Sequence, residues 1–282
     1  MGAFVTWASR LALLTGSLAA AAAVVGSRRF ARLVRMDTES LLARAAPPRD
    51  GVVTEEMLGE LPEPARRYLR YAGVVGRPFV GTVRLTQTGQ IQVAAGQPWF
   101  PLHAEQHFSV QPPGFVWEAV VPSEALPLLR AIDSFLSGSG RMLITAAGLV
   151  PIVDATGPEL DQGEMVRFLS EMMWFPTAFL GENVLFEPVD EGSTRVSLTH
   201  AGQTASGTMY VDDDGKVMRF EADRYYPDDR GTPSLQRWST PVDEYGEFNG
   251  LRIPVRVRAV WNLPGGDLEY IRITVTQLLY NA

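Results

Sequence analysis

The chain of 282 residues contains no cysteine, a single lysine (Lys216) and three histidines. The lack of cysteine removes disulfides, thiol nucleophiles, CxxC redox pairs and cysteine-held metals together. It leaves the compartment open, because a cysteine-free domain folds on either side of a membrane. The near-absence of lysine, with a net charge of −7 and a pI near 5.1, argues against a nucleic-acid surface, which needs clustered cations to neutralise phosphates. No GxSxG elbow, P-loop or GxGxxG run occurs, so serine-hydrolase and nucleotide chemistry lack their usual sequence support, and no cofactor is implied. What the chain does hold is 46% hydrophobic and 20% charged residues, with 26 Gly and 20 Pro spread along it. That suits one large β-rich domain with many turns.

Residues 1–27 carry the longest uncharged run. Leu11–Gly26 is apolar or small, and it extends back through Ala3–Trp7 if Arg10 snorkels, which makes it long enough to span a bilayer. The same stretch also reads as a cleaved signal peptide, with Ala19–Ala23 offering cleavage sites. Arg28, Arg29, Arg32 and Arg35 follow at once and disfavour export of that flank. The expectation is therefore a single-pass transmembrane helix in the cell membrane, and the arginines favour the cytoplasmic side for the globular part. Residues 28–60 read as a basic linker. Its first part sets Phe30, Leu33, Val34, Leu41 and Leu42 among arginines, as in a helix lying on anionic lipid or a solvated helix leaving the membrane. Ala45–Gly51, with Pro47 and Pro48, separates it from a single domain over 61–282.

That domain opens with a helix over Leu61–Ala72, started by Pro62 and Pro64 and ended at Gly73. The period then changes to two, predicting strands over Thr82–Val93, Leu102–Val110 and Gly114–Val121. Leu126, Leu129, Ile132, Phe135 and Leu136 predict a helix over Ser123–Ser137. Arg141–Val153 reads as a short strand or loop, and a second helix, Met-rich, covers Asp161–Trp174. About seven strands follow as a meander, with turns at Asp190-Glu191-Gly192, Asp212–Gly215, Asn249-Gly250 and Pro264-Gly265-Gly266. The fold class expected is mainly β (α+β): a curved antiparallel sheet or half-barrel with helices covering its concave face.

Few residues suggest chemistry. His103, Glu105 and His107 share a face if Leu102–Val110 is a strand, and two histidines with a carboxylate can bind zinc. Ligands at successive i, i+2 positions lie ~6 to 7 Å apart and need a further group from elsewhere, so these residues read as exposed strand positions and no metal site is assigned. Asp212–Gly215 lacks the spacing and distal Glu of a calcium loop. Glu159, Asp161 and Glu164 sit at a helix start, where the backbone dipole favours negative charge. Glu171 differs: beside Met172, Met173, Trp174 and Phe175 it needs a partner or a raised pKa, and a buried ion pair to a strand arginine would account for it. The aromatic residues either fill the core or line an apolar ligand cavity under the Met-rich helix. The lining expected is Phe115, Trp117, Met172, Trp174, Phe175, Tyr245 and Trp261, with Gln106 and Glu171 as polar anchors.

The runs LPEPARRYLRYAG, AEQHFSVQPPGFVWEA, GPELDQGEMVRFLSEMMWFPTAFL and DEYGEFNGLRIPVRVRAVW, in this order, resemble a bacterial family of unknown function over about Leu61 to Asn281. WFPTA is the most specific piece. The resemblance carries no catalytic residue with it. The order of elements is also similar to the LolA-like and LppX-like lipoprotein-carrier fold, which implies a half-barrel closed by helices over an apolar cavity. Carriers of that fold work outside the cytoplasm, so this resemblance and the arginines point to opposite sides of the membrane. Together these point to a membrane-anchored binding protein for a lipid or other hydrophobic small molecule. The alternatives are an enzyme on a hydrophobic substrate, using Glu171 or the His103/Glu105/His107 face, and a structural protein without ligand.

Overall fold

The computed structural model describes residues 24–92, 96–122, 129–227 and 231–281. Within them thirteen strands form one antiparallel sheet. In chain order they are β1 (Thr82–Gln92), β2 (Trp99–Ser109), β3 (Gly114–Val121), β4 (Leu129–Leu136), β5 (Ser139–Ala146) and β6 (Val150–Thr156), followed by β7 (Val184–Asp190), β8 (Ser193–His200), β9 (Gln203–Val211), β10 (Val217–Pro227), β11 (Pro233–Phe248), β12 (Leu251–Leu263) and β13 (Gly266–Tyr280). Each strand pairs with the next in sequence except β6 with β7, and β1 pairs with β13, so β6 and β7 are the two borders. Helices precede and interrupt this run: α1 (24–44), α2 (Glu55–Gly59), α3 (Glu63–Ala72) and α4 (Pro158–Glu171), the last followed by 3₁₀ turns at Met172–Trp174 and Pro176–Leu180.

The mainly β, curved-sheet expectation holds, and the seven-strand meander is β7–β13. At one of its two-residue turns Asn249 and Gly250 both take positive φ, 51° and 76°, the conformation a two-residue hairpin requires and that Asn-Gly adopts at least cost. The helix expected over Ser123–Ser137 is corrected: Leu129–Leu136 is strand β4, paired with β3 and β5, and 123–128 lie outside the described residues. Both faces of β4 are covered, Phe135 by the main core and Ile132 by α1. The strand therefore loses the alternation of a half-wet strand, and its apolar residues fall at helix-like spacing. Arg141–Val153 is likewise most of a β5–β6 hairpin.

The main core lies between the concave face of the sheet and the helices. Tyr68 and Leu69 of α3, Phe168 and Leu169 of α4, and Phe175 and Phe179 after it are fully or almost fully buried there. The WFPTA segment is pinned by hydrogen bonds. Trp174 Nε1 donates to Pro254 O (3.0 Å), Tyr280 Oη to Trp174 O (2.6 Å), and the backbone NH of Val80 to Thr177 Oγ1 (3.1 Å). Helix α4 lies between the two halves of the sheet and touches both. Asp161 Oδ1 accepts from the Gly140 NH of β5 (2.7 Å), and Gln162 Nε2 donates to Asp223 O of β10 (2.9 Å).

Most of the expected anchor, 1–23 of 1–27, lies outside the described residues; among those described, no helix is long and apolar enough to cross a membrane. The expected linker contains α1, which lies on the convex face. Phe30 and Leu41 form a second, smaller core with Val116, Ile132 and Leu143. Arg130 stacks over the Phe30 ring at 4.4 Å and donates to Ser27 O (3.2 Å). Three of the apolar residues assigned to a lipid-facing stripe, Phe30, Leu41 and the half-buried Val34, thus pack against protein, while Arg28, Arg29, Arg32, Leu33 and Arg35 are exposed. Val53 and Leu58, also N-terminal to Leu61, belong to the main core. Each border strand carries a proline, Pro151 in β6 and Pro188 in β7, beside exposed apolar side chains such as Ile152 and Leu185.

Because the outer core is separate from the main one, Phe30→Ala is expected to remove ~3–5 kcal/mol from the docking of α1 and leave the sheet folded. Limited trypsin digestion should then cut at Arg28–Arg35 much faster than in the wild type, with the unfolding midpoint of the β domain little changed. Equal protection in both proteins would show that Phe30 does not hold α1.

Candidate functional site

Between α4 and the concave face lies a cavity of 260 Å³. Its walls are mostly apolar, among them Leu102, Ala119, Ala131, Ile144, Val257 and Ile273, and Met173 and Trp174 close it from the helix side. Half-buried Ile91, Phe100 and Ile271 form its outer edge. Strand alternation builds these walls, since residues two apart along β1, β2, β3 and β13 all point inward.

One side of the cavity is charged. Asp133 of β4, Glu164, Arg167 and Glu171 of α4, and Arg224 of β10 line it together. Glu164, Arg167 and Glu171 recur at spacings of three and four and so share a stripe of the helix. Arg167 Nε donates to Glu171 Oε1 (2.8 Å), and its Nη1 donates to Asp133 Oδ2. Its guanidinium also lies over Phe115 (4.8 Å) and Trp117 (5.0 Å). A hydrogen-bond relay continues on the other side of Glu171. Gln106 Nε2 donates to Glu171 Oε2 (2.8 Å), Gln87 Nε2 to Gln106 Oε1 (3.4 Å), and Trp117 Nε1 to Gln87 Oε1 (2.8 Å). Arg224 stacks on Trp238 at 4.6 Å, and its Nη2 reaches Glu164 Oε1 at 3.4 Å. The absence of a side chain at Gly163 admits it, since a Cβ there would stand 3.2 Å from Nη2.

Three polar atoms of this cluster, Asp133 Oδ1, Glu164 Oε2 and Arg224 Nε, have no hydrogen-bond partner among the described residues. Burial pushes the Glu164 carboxyl up to about 8, and the Asp133 charge adds to this against the pull of Arg224 and Arg167. Burial also raises Asp133 and Glu171, opposed chiefly by Arg167. Burial alone would weaken the Arg167 proton, but Glu171, Asp133 and Glu164 outweigh it and keep the guanidinium charged. The Asp133 and Glu164 carboxyls interact directly, so a proton on Glu164 relieves the repulsion between them. The cluster can therefore hold a proton near neutral pH and present a cation, Arg224, to the cavity.

Of the residues expected from sequence, Trp117, Glu171 and Trp174 line the cavity. Gln106 stands one bond behind, on Glu171. Phe115 and Phe175 are fully buried in the main core, Phe175 against Phe108 at 4.9 Å. The chain leaves the α-helix at Glu171 and tightens into a 3₁₀ turn, and Met173 rather than Met172 lines the cavity. Tyr245 sits apart, its Oη donating to Val217 O (3.1 Å). Trp261 packs against Tyr226 and Tyr270 beside the cavity. His103, Glu105 and His107 occupy the convex face of β2, where Glu105 accepts from Arg84 (2.9 Å). The partner of Glu171 is Arg167 on its own helix; the carboxylate that meets a strand arginine is Glu164.

Since all three carboxyls have folded pKa values above their unfolded ones, the folded state binds more protons in the interval between. For Glu164 that contribution to stability is complete below 4.5 and is lost as pH rises through about 8. Glu164→Gln keeps a neutral side chain of the same shape. Wild-type melting temperature should fall more steeply than the variant's from about pH 5 to about pH 8. Parallel curves from thermal melts across that range would contradict the assignment.

No curated protein matches the chain. Among solved structures it is similar to a putative outer membrane lipoprotein-sorting protein domain from Vibrio parahaemolyticus, with 8% identity over 81% of this chain and 92% of that one and a TM-score of 0.37. It is similar also to a LolA superfamily protein from Nitrosomonas europaea, with 9% identity over 82% and 95% and a TM-score of 0.32. A β-barrel-like protein of unknown function from Brucella abortus gives 9% identity over 72% and 99%, with a TM-score of 0.24. None of these likenesses bears on what the cavity holds. The family resemblance is direct: a family model matches residues 51–273, and the chain belongs to the family of unknown function DUF6544.

Proposed function

We propose that this chain is a membrane-anchored binding protein for a lipid or another hydrophobic small molecule, taken up in the cavity under α4. The observation that carries the reading is an apolar cavity of 260 Å³ with a buried cluster of charged side chains on one wall. A pocket with apolar walls and a few converging polar groups is the usual build of a small-molecule site. A structural protein with a solid core would have no such space. The enzyme alternative has less support: Glu171 is committed to Arg167 and Gln106, and the His103/Glu105/His107 face lies across the sheet from the cavity.

Burial of each methylene contributes about 0.8 kcal/mol, roughly a fourfold gain in affinity. In a homologous series of alkyl ligands, affinity measured by tryptophan fluorescence should rise about fourfold per carbon and then level off when the cavity is full. Ala131→Phe, which projects a ring into the cavity, should abolish uptake and leave the fold intact. Unchanged affinity in that variant, or no dependence on chain length, would exclude the cavity as the site.

The anchor is supported by the uncharged run before α1 and by the exposed arginines on α1 itself. Full-length protein should stay with membranes through an alkaline wash, while a chain lacking 1–27 should be released. A carboxyl-terminal reporter should report the cytoplasmic side. Release of the full-length chain by the wash would remove the anchor from the proposal.

A further inference from the structure

We propose that the ligand carries a carboxylate, which docks on Arg224 while an apolar chain fills the cavity; the inference rests on the cavity being a ligand site. The two arginines of the cluster are unequally placed. Arg167 is held by two carboxylates, Glu171 and Asp133. Arg224 meets only Glu164, at 3.4 Å. It is nine-tenths buried, and its Nε has no hydrogen-bond partner among the described residues. Leaving a buried guanidinium under-paired is costly, and because Arg224 lines the cavity an anionic acceptor there can pair with its charge.

The charge count selects the kind of acceptor. With Glu164 protonated, Asp133 and Glu171 together balance Arg167 and Arg224. Locally, though, both carboxylates belong to Arg167, so Arg224 is the uncommitted cation. A carboxylate matches one guanidinium through two parallel N–H···O bonds and carries one charge. A phosphate monoester would bring about −1.5 to −2 into a site that already holds two carboxylates. A cationic head would face Arg224 itself. An alcohol would satisfy the hydrogen bond and leave the charge unmatched.

The site then couples binding to a proton. The groups facing Glu164 are Asp133 from β4, Arg167 and Glu171 from α4, and Arg224 from β10, with Tyr270 of β13 also near. An anion on Arg224 takes away part of the attraction that would hold Glu164 ionised. The protonated form of Glu164 is therefore the form that binds a carboxylate, and affinity should weaken as pH rises past about 8.

The test uses delipidated full-length protein in detergent, with dodecanoate, dodecanol and dodecyl phosphate as probes, by calorimetry at about pH 6.5 and about pH 9.5, on either side of the Glu164 value. Dodecanoate is expected to bind at least about tenfold more tightly than dodecanol at the lower pH, a difference of ~1.4 kcal/mol, and to lose most of that advantage at the higher. Arg224→Gln should bring dodecanoate down to the affinity of dodecanol. Arg224→Lys, which keeps the charge without the fork, should retain part of the preference. Glu164→Gln should make the preference independent of pH over this range. Equal binding of dodecanoate and dodecanol by the wild type, or tighter binding of dodecyl phosphate, overturns the carboxylate assignment and leaves the cavity reading standing. Failure of all three probes to bind overturns both.

Discussion

The two border strands of this sheet are consecutive in the chain, and a single helix with its 3₁₀ extension joins them. Thirteen strands laid flat at ~4.8 Å spacing would be about 58 Å wide. Yet Asp161 and Gln162, adjacent on α4, bond to β5 and β10, which lie eight steps apart in the sheet order and would stand about 38 Å apart in a flat sheet. The sheet must therefore curl until its two halves meet at α4, and the connection between β6 and β7 runs over the hollow side. The concave face, the helix that covers it and the space between them follow from this one constraint. Side chains on opposite walls meet as a result: Asp133 from the amino-terminal half and Arg224 from the carboxyl-terminal half both reach α4.

The charged wall is expensive by the standards of a folded core. Five ionisable side chains share a region from which water is largely removed, and three of their polar atoms lack a hydrogen-bond partner among the described residues. Replacing such clusters by well-packed apolar residues is often neutral or stabilising, so folding alone gives little reason for this arrangement. The relay from Trp117 through Gln87 and Gln106 to Glu171 holds the satisfied part rigid. Only the part built around Glu164 and Arg224 is left with free hydrogen-bonding capacity.

Much of the architecture was legible in the sequence, for identifiable reasons. The hairpins of the last third announce themselves because one face is wet and the turns carry Asp, Asn and Gly. Strand β4 hid because α1 covers its outer face, and no local pattern records a helix arriving from far away in the chain. The site was harder to read. Glu171 stood out as a charge among methionines and aromatics, whereas Glu164 passed for a residue favoured by the helix dipole although it is wholly buried. The spacing Glu164, Arg167, Glu171 was an available signal, since it sets three charges on one stripe of a helix that is otherwise apolar on that side. Another was Arg224, which falls at an inward position in the alternation Phe220, Ala222, Arg224. Asp133 gives no such sign, because the apolar spacing around it is that of a helix.

Curling the sheet brings its borders near each other without joining them, so β6 and β7 each keep a row of backbone groups facing outward, next to exposed Ile152 and Leu185. An open ladder with oily neighbours is the usual template for unwanted polymerisation. Pro151 and Pro188 interrupt it, because a residue with no NH offers nothing to an incoming strand at that step. A half-barrel can in this way keep two unjoined borders and still discourage its own copies from stacking edge upon edge.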